Sequence, residues 1–195
     1  RLDSGTISMN GAEVSFHSPR DARALGIETV YQDLALFDNL SPIDNFYAGR
    51  ELAAPAWAPR SLRILRRRRM KAATAEVLER LQVVLPELDS SVGLMSGGQR
   101  QAVAVSRAAA FASKVVILDE PTAALGVRES RNVLDLILRL RDEGKAIIVV
   151  SHAMDHVIEV ADRAVVLRRG RKVGELTPSA DTYHEIVSLI VGGAE

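Results

Sequence analysis

The sequence contains no cysteine, which excludes disulfide bonds and thiolate chemistry and is compatible with a cytosolic setting. It also lacks an excess of either charge, because 25 Lys and Arg residues balance 25 Asp and Glu residues. Overall charge therefore gives no reason to expect a nucleic acid or an acidic membrane as a partner. Long apolar runs are missing as well: the longest aliphatic run, 146–150, is far shorter than the roughly 20 residues of a membrane-spanning helix.

A phosphate-binding loop of the form G-x-x-x-x-G-K-[ST] is also absent from the sequence. The only Gly-Lys pair is Gly144-Lys145. Arg139 stands where the first glycine of such a loop belongs, and Ala146 stands in place of the Ser or Thr. This pair is therefore not predicted to cradle phosphates.

Strand and helix patterns alternate along the chain. Residues 6–9 and 13–16 alternate polar and apolar side chains around Asn10-Gly11, which predicts a β-hairpin, and a second hairpin is predicted over 165–173. Short apolar segments predict a strand at 27–31 and buried strands at 115–118 and 146–150. The fold class is therefore predicted to be α/β with a partly parallel sheet.

Helix starts are marked twice by Ser followed by Pro and, three residues after the Ser, an acid. These segments are Ser18-Pro19-Arg20-Asp21 and Ser41-Pro42-Ile43-Asp44. The first helix is expected to end at Gly26. Further helices are predicted in the middle third up to about Pro86, at 131–141 before Gly144, and at 181–191.

Polar residues follow three of the predicted strands. Gln32 comes after the strand at 27–31, Asp119-Glu120 follows the strand at 115–118, and Ser151-His152 follows the strand at 146–150. Ligands bind at the carboxyl ends of the strands in open α/β sheets. Each residue alone has an ordinary structural explanation, such as a solvated strand end, so it is their ordered combination that indicates a site.

The segment LMSGGQRQAVAVSRAA, 94–109, places Ser96-Gly97-Gly98-Gln99 at the start of a predicted helix rich in small residues. Amides exposed at a helix start attract an anion, and phosphate is the obvious one. A lone Ser-Gly-Gly is usually only a helix cap or a turn. A functional interpretation of this segment therefore depends on its occurrence together with the other motifs.

With these four motifs in this order, the chain resembles the nucleotide-binding subunit of an ATP-binding cassette (ABC) transporter, more narrowly the class that serves bacterial monosaccharide importers. The resemblance extends over nearly the whole chain and is carried by four segments: SPRDARALGIETVYQDLALFDNLSPIDN, LMSGGQRQAVAVSRAA, VVILDEPTAAL and VVSHAMDHVIEVADRAVVLRRGRKVGEL. The resemblance implies a truncated P-loop NTPase (ABC ATPase) core with a mixed or parallel sheet and an inserted α-helical subdomain. It implies core segments at 1–35 and 113–195, and a helical subdomain with the signature motif at 36–112.

The resemblance also implies ATP and Mg²⁺ as cofactors. Asp119 resembles the Walker B aspartate, which reaches Mg²⁺ through its water shell. Glu120 resembles the catalytic carboxylate that orients or deprotonates the attacking water, and His152 resembles the switch histidine that contacts the γ-phosphate. Gln32 resembles the Q-loop glutamine, which meets the metal and the attacking water and reports to the membrane subunit.

Ser96, Gly97, Gly98 and Gln99 resemble the signature motif, which closes over the γ-phosphate of ATP held by a partner subunit. The segment 123–126 occupies the position of the D-loop, which crosses the dimer interface. The implied partners are a second ATPase subunit, a membrane permease and, indirectly, a periplasmic sugar-binding protein, with no nucleic acid. The implied location is the cytoplasm, peripheral on the inner face of the plasma membrane.

Members of this family carry the phosphate-binding loop before the first hairpin, so the chain is expected to be incomplete at its N-terminus. Weak ATP affinity of the chain alone and an unpaired edge on strands such as 115–118 are then expected. A sugar-import ATPase is the leading interpretation, and the retained Glu120 and His152 favour it. The alternative is a non-catalytic, degenerate half that supplies only the signature motif to its partner's ATP site.

Arg66 to Arg69 form a basic cluster. Such a cluster could bind nucleic acid or lipid, or dock to a membrane subunit. Balanced overall charge and the absence of aromatic residues among the arginines favour a solvated face of the helical subdomain.

Overall fold

The computed structural model describes residues 3–54 and 64–192. Within these ranges the strands are β1 (Ile7–Met9), β2 (Ala12–Val14), β3 (Ile27–Val30), β4 (Ala53–Ala54), β5 (Ile64–Leu65), β6 (Val115–Asp119), β7 (Ala146–Val150), β8 (Ala164–Arg168) and β9 (Arg171–Leu176). The helices are α1 (Pro19–Ala24), α2 (Pro42–Tyr47), α3 (Arg67–Arg80), α4 (Gly97–Phe111), α5 (Val127–Asp142), α6 (Met154–Val160) and α7 (Tyr183–Val191), with a 3₁₀ turn at Val92–Leu94. Among the described residues, none of the helices combines the length and the apolar character needed to cross a membrane. The predicted α/β class is confirmed.

Strands β3, β6 and β7 form a parallel sheet in that order. Ile27 pairs with Val115, and Val115 pairs with Ala146 on its other side. The predicted parallel strands are therefore present. However, β6 is the middle strand, so the unpaired edge expected at 115–118 is wrong, and β7 is an edge of this sheet within the described ranges.

Strand β7 is buried on one face only. Ile147 and Val149 pack against the core that α4 and α5 form with the sheet. Ile148 and Val150, which point to the opposite face, are each 51% exposed. The prediction of a fully buried strand at 146–150 is thus wrong for one face, because side chains alternate along a strand and both helices cover the same side.

Both predicted hairpins are present, β1 with β2 and β8 with β9. In the first turn Asn10 and Gly11 have φ of 52° and 78°, and in the second Arg169 and Gly170 have φ of 49° and 74°. Two successive residues with positive φ are typical of the tight turns that match strand twist. The Asn-Gly signal was therefore sufficient to locate the first hairpin.

The two Ser-Pro segments start α1 and α2 as predicted. At α1, the Asp21 carboxylate accepts hydrogen bonds from the amides of His17 (2.8 Å) and Ser18 (2.9 Å). These amides, His17 first, lower the pKa of Asp21. At α2, the Ser41 hydroxyl donates to Asp44 Oδ2 at 2.6 Å and accepts from the Asp44 amide at 3.2 Å.

Gly26 joins α1 to β3 in a conformation that needs glycine. Its φ is +83°, and a Cβ atom at this position would lie 2.0 Å from Ser113 Oγ and 3.3 Å from the Lys114 nitrogen. Its carbonyl accepts hydrogen bonds from the amides of Lys114 and Val115, both at 3.1 Å. The segment that leads into β6 is therefore aligned beside β3 through this glycine.

Two groups of buried side chains form the core. The first lies between the parallel sheet, α4 and α5, and the second lies among α2, α3 and α4. Helix α4 contributes to both, with Val105 and Ala108 in the first group and Val103 in the second. The division of the chain at 35 and 112 stays a prediction.

The middle third contains an antiparallel pair that sequence periodicity did not indicate. Strands β4 and β5 pair through Ala53 with Leu65 and through Ala54 with Ile64, so this part is not helical as expected. Residues 55–63 of this third lie outside the described residues. In the arginine cluster, Arg67 starts α3 and pairs with Asp44 and Asp89, which gives this residue a structural role.

Candidate functional site

The carboxyl ends of β3, β6 and β7 meet at one edge of the parallel sheet. Gln32 lies two residues beyond β3, Asp119 ends β6, Glu120 follows it, and His152 lies two residues beyond β7. These four residues are called the sheet-edge group below. Their common position follows from the parallel pairing, since neighbouring parallel strands end on the same side.

Gln32 and Asp119 line one open cleft, together with Tyr31, Asp33 and Ala35. Amide and carboxylate oxygens are the ligands that Mg²⁺ and Ca²⁺ prefer. Among the described residues, no three or more His, Cys, Asp or Glu side chains are grouped so that they could hold a metal ion. One amide oxygen and one carboxylate at the same cleft suit Mg²⁺, which takes few ligands from a protein and keeps several waters.

Glu120 is held between β6 and β7 with its carboxylate directed at His152. Glu120 Oε1 lies 2.7 Å from His152 Nδ1. The Glu120 side chain is 18% exposed, whereas the His152 side chain is 83% exposed. Glu120 has a left-handed backbone (φ 47°), and its amide donates to the Val150 carbonyl at 2.8 Å. The pair therefore combines a fixed carboxylate with an imidazole that a ligand can reach from solvent.

A second histidine supports the same region and was missed by sequence reasoning. His156, on α6, lies with its Nδ1 2.9 Å from the hydroxyl of Thr122. This contact links the loop after Glu120 to the helix after His152. Local spacing gives no signal for it, because the two residues are far apart in the chain.

Arg107, on α4, is another residue that sequence reasoning missed. It donates from Nη1 to the Ala35 carbonyl at 2.8 Å and from Nη2 to the Leu34 carbonyl at 3.0 Å. These carbonyls belong to the turn that follows Gln32. A usable signal existed, since Arg107 is a single charge within the otherwise uncharged stretch 101–112.

Ser96 caps α4 as the sequence predicts. The Ser96 hydroxyl accepts from the Gln99 amide at 3.3 Å, and the Ser96 amide donates to Gln99 Oε1 at 2.9 Å. The amides of Gly97 and Gly98 have no carbonyl within the helix to bind, because they lie in its first turn. Residues Ser96 to Gln99, called the helix-start group below, therefore present the positive end of the helix dipole.

Helix α4 begins close to α5 and to the predicted D-loop. A Cβ atom added at Gly98 would lie 2.7 Å from Cγ and 2.9 Å from Cβ of Glu129, on α5. A Cβ atom added at Gly97 would lie 3.5 Å from Leu125 Cδ2. Glycine at 98 is thus required by helix packing, and the 123–126 segment lies beside the helix-start group.

The predicted site residues are brought together in two groups rather than one. Three members of the helix-start group, Ser96, Gly98 and Gln99, line a groove between α4 and α5. No member of the sheet-edge group lines that groove. The two groups therefore present separate surfaces for a ligand in this described part of the chain.

The Gly144-Lys145 pair lies at the other end of the sheet. It connects α5 to the amino end of β7, whereas the sheet-edge group lies at the carboxyl ends of the strands. Lys145 Nζ pairs with Glu143 at 2.7 Å. This position separates the pair from the candidate site.

Comparison with known proteins assigns the chain to a family. The family described as ABC transporter matches residues 1–123. The fructose import ATP-binding protein FrcA of Rhizobium meliloti is 48% identical over 99% of this chain and 75% of that protein. The xylose/arabinose import ATP-binding protein XylG of Sulfolobus acidocaldarius is 38% identical over 98% of this chain and 74% of that protein. The match thus extends along almost all of the chain.

A solved structure has the same fold. It is a dimeric post-hydrolysis state of an ATP-binding cassette bound to ADP and Pi, with a TM-score of 0.70 and 19% identity. The superposition covers 91% of this chain and 75% of that one. The predicted ABC ATPase fold is thereby confirmed. The chain belongs to the ABC transporter family, and its relatives there are sugar-import ATP-binding proteins.

Proposed function

We propose that this chain binds and hydrolyses ATP to drive the import of a sugar. Its family and the names of its relatives support this function. The observation that carries the proposal is the 2.7 Å contact between Glu120 and His152, at the edge where Gln32 and Asp119 share a cleft. This retained acid and imidazole pair favours a working ATPase over a non-catalytic half.

Asp119 and Gln32 would hold Mg²⁺ in the cleft. A bound metal would supply positive charge that offsets the negative charge of the phosphates. Asp119 contributes a carboxylate at the end of β6, and Gln32 contributes an amide oxygen from the turn after β3. These two ligands would leave the remaining coordination positions of Mg²⁺ to water and to phosphate oxygens, as Mg²⁺ sites usually do.

Glu120 would orient the water that attacks the terminal phosphorus of ATP. As the phosphorus–oxygen bond to the water forms and the bond to ADP breaks, the proton of the water passes to the Glu120 carboxylate. His152 contacts this carboxylate, and its exposed ring would meet the phosphate that is transferred. Positioning of this kind is the main contribution that phosphoryl transfer requires from a protein.

The helix-start group would face a nucleotide held by a second ATPase subunit. Its groove is separate from the sheet-edge group, and the free amides of Gly97 and Gly98 suit phosphate oxygens. The dimeric state of the structurally similar cassette supports this arrangement. Because the relatives are import proteins, the further partners proposed are a membrane permease and, indirectly, a periplasmic sugar-binding protein. The subunit would then lie at the inner face of the plasma membrane.

Hydrolysis in the assembled transporter tests this function. The protein is placed in vesicles with its permease and binding protein, and sugar-stimulated phosphate release is measured. Glu120→Gln is expected to lower this rate at least about 100-fold, because general-base positioning contributes roughly 10²–10⁴-fold, while bound ATP is retained. The control Glu143→Gln, at the far end of the sheet, is expected to leave the rate unchanged. Hydrolysis within a few fold of wild type in Glu120→Gln contradicts the proposal.

A further inference from the structure

The turn that carries Gln32 is hydrogen-bonded to one side chain of α4, that of Arg107. The guanidinium of Arg107 donates to the adjacent carbonyls of Leu34 and Ala35, at 3.0 and 2.8 Å. The turn itself is closed by the Leu34 amide, which donates to the Tyr31 carbonyl at 2.9 Å. Gln32 lies inside this closed turn, so its position depends on the backbone conformation of Leu34 and Ala35.

Leu34 and Ala35 adopt a backbone conformation that L-residues rarely take. Their φ angles are 63° and 44°, both in the left-handed region and in direct succession. Residues of this kind persist only where the surrounding structure supports them. The two hydrogen bonds from Arg107 are such support, because both end on the carbonyls of the unfavourable residues.

The placement of Arg107 is itself unfavourable for a charged group. Burial lowers the pKa of Arg107 from its usual value, and this effect exceeds the attraction of the Glu28 carboxylate, which raises it. Glu28 pairs with Arg50 at 2.7 Å. Arg107 instead directs both terminal nitrogens to backbone carbonyls, where a charged donor forms a stronger hydrogen bond than a neutral one.

The segment after the turn is fixed independently. Asn45 is fully buried, and its Oδ1 accepts from the Phe37 amide at 2.8 Å while its Nδ2 donates to the Phe37 carbonyl at 3.1 Å. Residues from 37 onward are thus held by α2. Between Tyr31 and Phe37, the Ala35 amide donates to Asp33 Oδ1 at 3.2 Å, and Leu34 and Leu36 pack against the core. Arg107 adds the two hydrogen bonds to the Leu34 and Ala35 carbonyls.

We propose that Arg107 is a positioning residue that keeps Gln32 in the cleft beside Asp119 by holding Leu34 and Ala35. This inference rests on the proposed function, in which Gln32 and Asp119 hold Mg²⁺. Helix α4, which starts with the helix-start group, thereby also fixes the turn of the sheet-edge group. The two surfaces that would face different nucleotides are joined through one helix.

Amide hydrogen exchange in the absence of nucleotide tests whether Arg107 holds Leu34 and Ala35 in place. Arg107→Met removes both donors and is expected to speed exchange of the Leu34 and Ala35 amides at least about tenfold, since hydrogen bonds to charged groups are lost. The control is Arg139→Met, because Arg139 donates to the Leu81 carbonyl at 2.8 Å beside Gln82, which also has a positive φ of 54°. This control is expected to speed exchange near 82 only.

The inference is overturned if the Leu34 and Ala35 amides of Arg107→Met exchange at rates within twofold of the wild-type rates. Should this variant fail to fold, Arg107→Lys is measured against the same threshold. One ammonium group cannot reproduce the two-nitrogen fork of the guanidinium.

Nucleotide affinity separates positioning from a merely structural role. ADP binding to the transporter assembled with its permease is measured with Mg²⁺ and with EDTA, because weak nucleotide affinity is expected of the chain alone. Arg107→Met is expected to weaken binding about tenfold with Mg²⁺ and less than twofold with EDTA, because only the metal contact of Gln32 is disturbed. An equal loss in both conditions overturns the inference. If wild-type binding does not respond to Mg²⁺, the proposed function fails, whereas the exchange rates still decide whether Arg107 holds the turn.

Discussion

Replacing Gly98 by alanine should destabilise the protein, because this glycine lies where α4 packs against α5. The added Cβ atom would lie 2.7 Å from Cγ and 2.9 Å from Cβ of Glu129. Ordinary carbon contacts lie at about 3.5–4.0 Å. A new rotamer of Glu129 can move its Cγ but not its Cβ, which is fixed to the α5 backbone. The start of α4 must therefore shift away from α5.

The magnitude follows from a matched comparison with Gly97→Ala. Both variants gain helix propensity, worth up to about 1 kcal/mol, but at Gly97 the new atom makes only an ordinary 3.5 Å contact with Leu125. The difference between the variants isolates the overpacking, which costs about 1–3 kcal/mol. At about 2–4 °C per kcal/mol for a chain of this size, Tm should differ by about 2–12 °C.

Thermal unfolding followed by circular dichroism measures this difference. Wild type, Gly97→Ala and Gly98→Ala are compared at the same protein concentration and pH. Gly98→Ala is expected to unfold first. If it unfolds at or above the Tm of Gly97→Ala, the close packing of α4 on α5 is refuted.

Two further predictions concern Gly26, which follows α1 and is compared with Gly144, and Asp21, in the first turn of α1. Gly26→Ala should lower the free energy of unfolding by about 1–3 kcal/mol more than Gly144→Ala, measured in urea, because both have φ near +80° but only Gly26 lacks room for a Cβ atom. Equal losses would count against this reasoning. Since hydrogen bonds lower the pKa of Asp21, the support it gives α1 is complete above its usual pKa of 3.8 and is lost as pH falls through the lowered value. The NMR shift of the His17 amide should therefore titrate with a midpoint below 3.8, and a midpoint at or above 3.8 would be inconsistent with the hydrogen bond.

The elements that sequence predicted well carry their information in adjacent residues. Asn10-Gly11 locates the first hairpin because this pair readily adopts two positive φ angles. Ser41-Pro42 locates α2 because the Ser accepts from the first turn and the Pro needs no partner for its missing amide. Such signals act over a few residues and do not depend on the rest of the fold.

The features that sequence missed depend on packing between distant segments. The exposed face of β7 could not be seen from an apolar run, because only the placement of α4 and α5 decides which face is covered. Helix α5 begins at Val127, four residues before the predicted start, because Gly126 acts as its N-cap ahead of the amphipathic pattern. Residue type alone did not mark either feature.

For the candidate site too, sequence predicted the features that depend on local order and missed the contacts between distant segments. The order of Gln32, Asp119-Glu120 and His152 along the chain sufficed to predict a common sheet edge, since parallel strands end together. The neighbouring contacts, from Arg107 to Ala35 and from His156 to Thr122, join segments that no local pattern relates. Sequence therefore indicated which residues lie at this sheet edge but not the contacts that surround them.

Paramagnetic broadening by Mn²⁺ in the presence of ADP tests the central claim most directly. Mn²⁺ accepts the same oxygen ligands as Mg²⁺ and broadens NMR signals of nearby nuclei. The account predicts broadening of the amide signals of the sheet-edge group, no broadening at Gly144-Lys145, and loss of the effect in Asp119→Asn. Broadening centred elsewhere, or unchanged in Asp119→Asn, would contradict a magnesium–nucleotide site at this edge of the sheet.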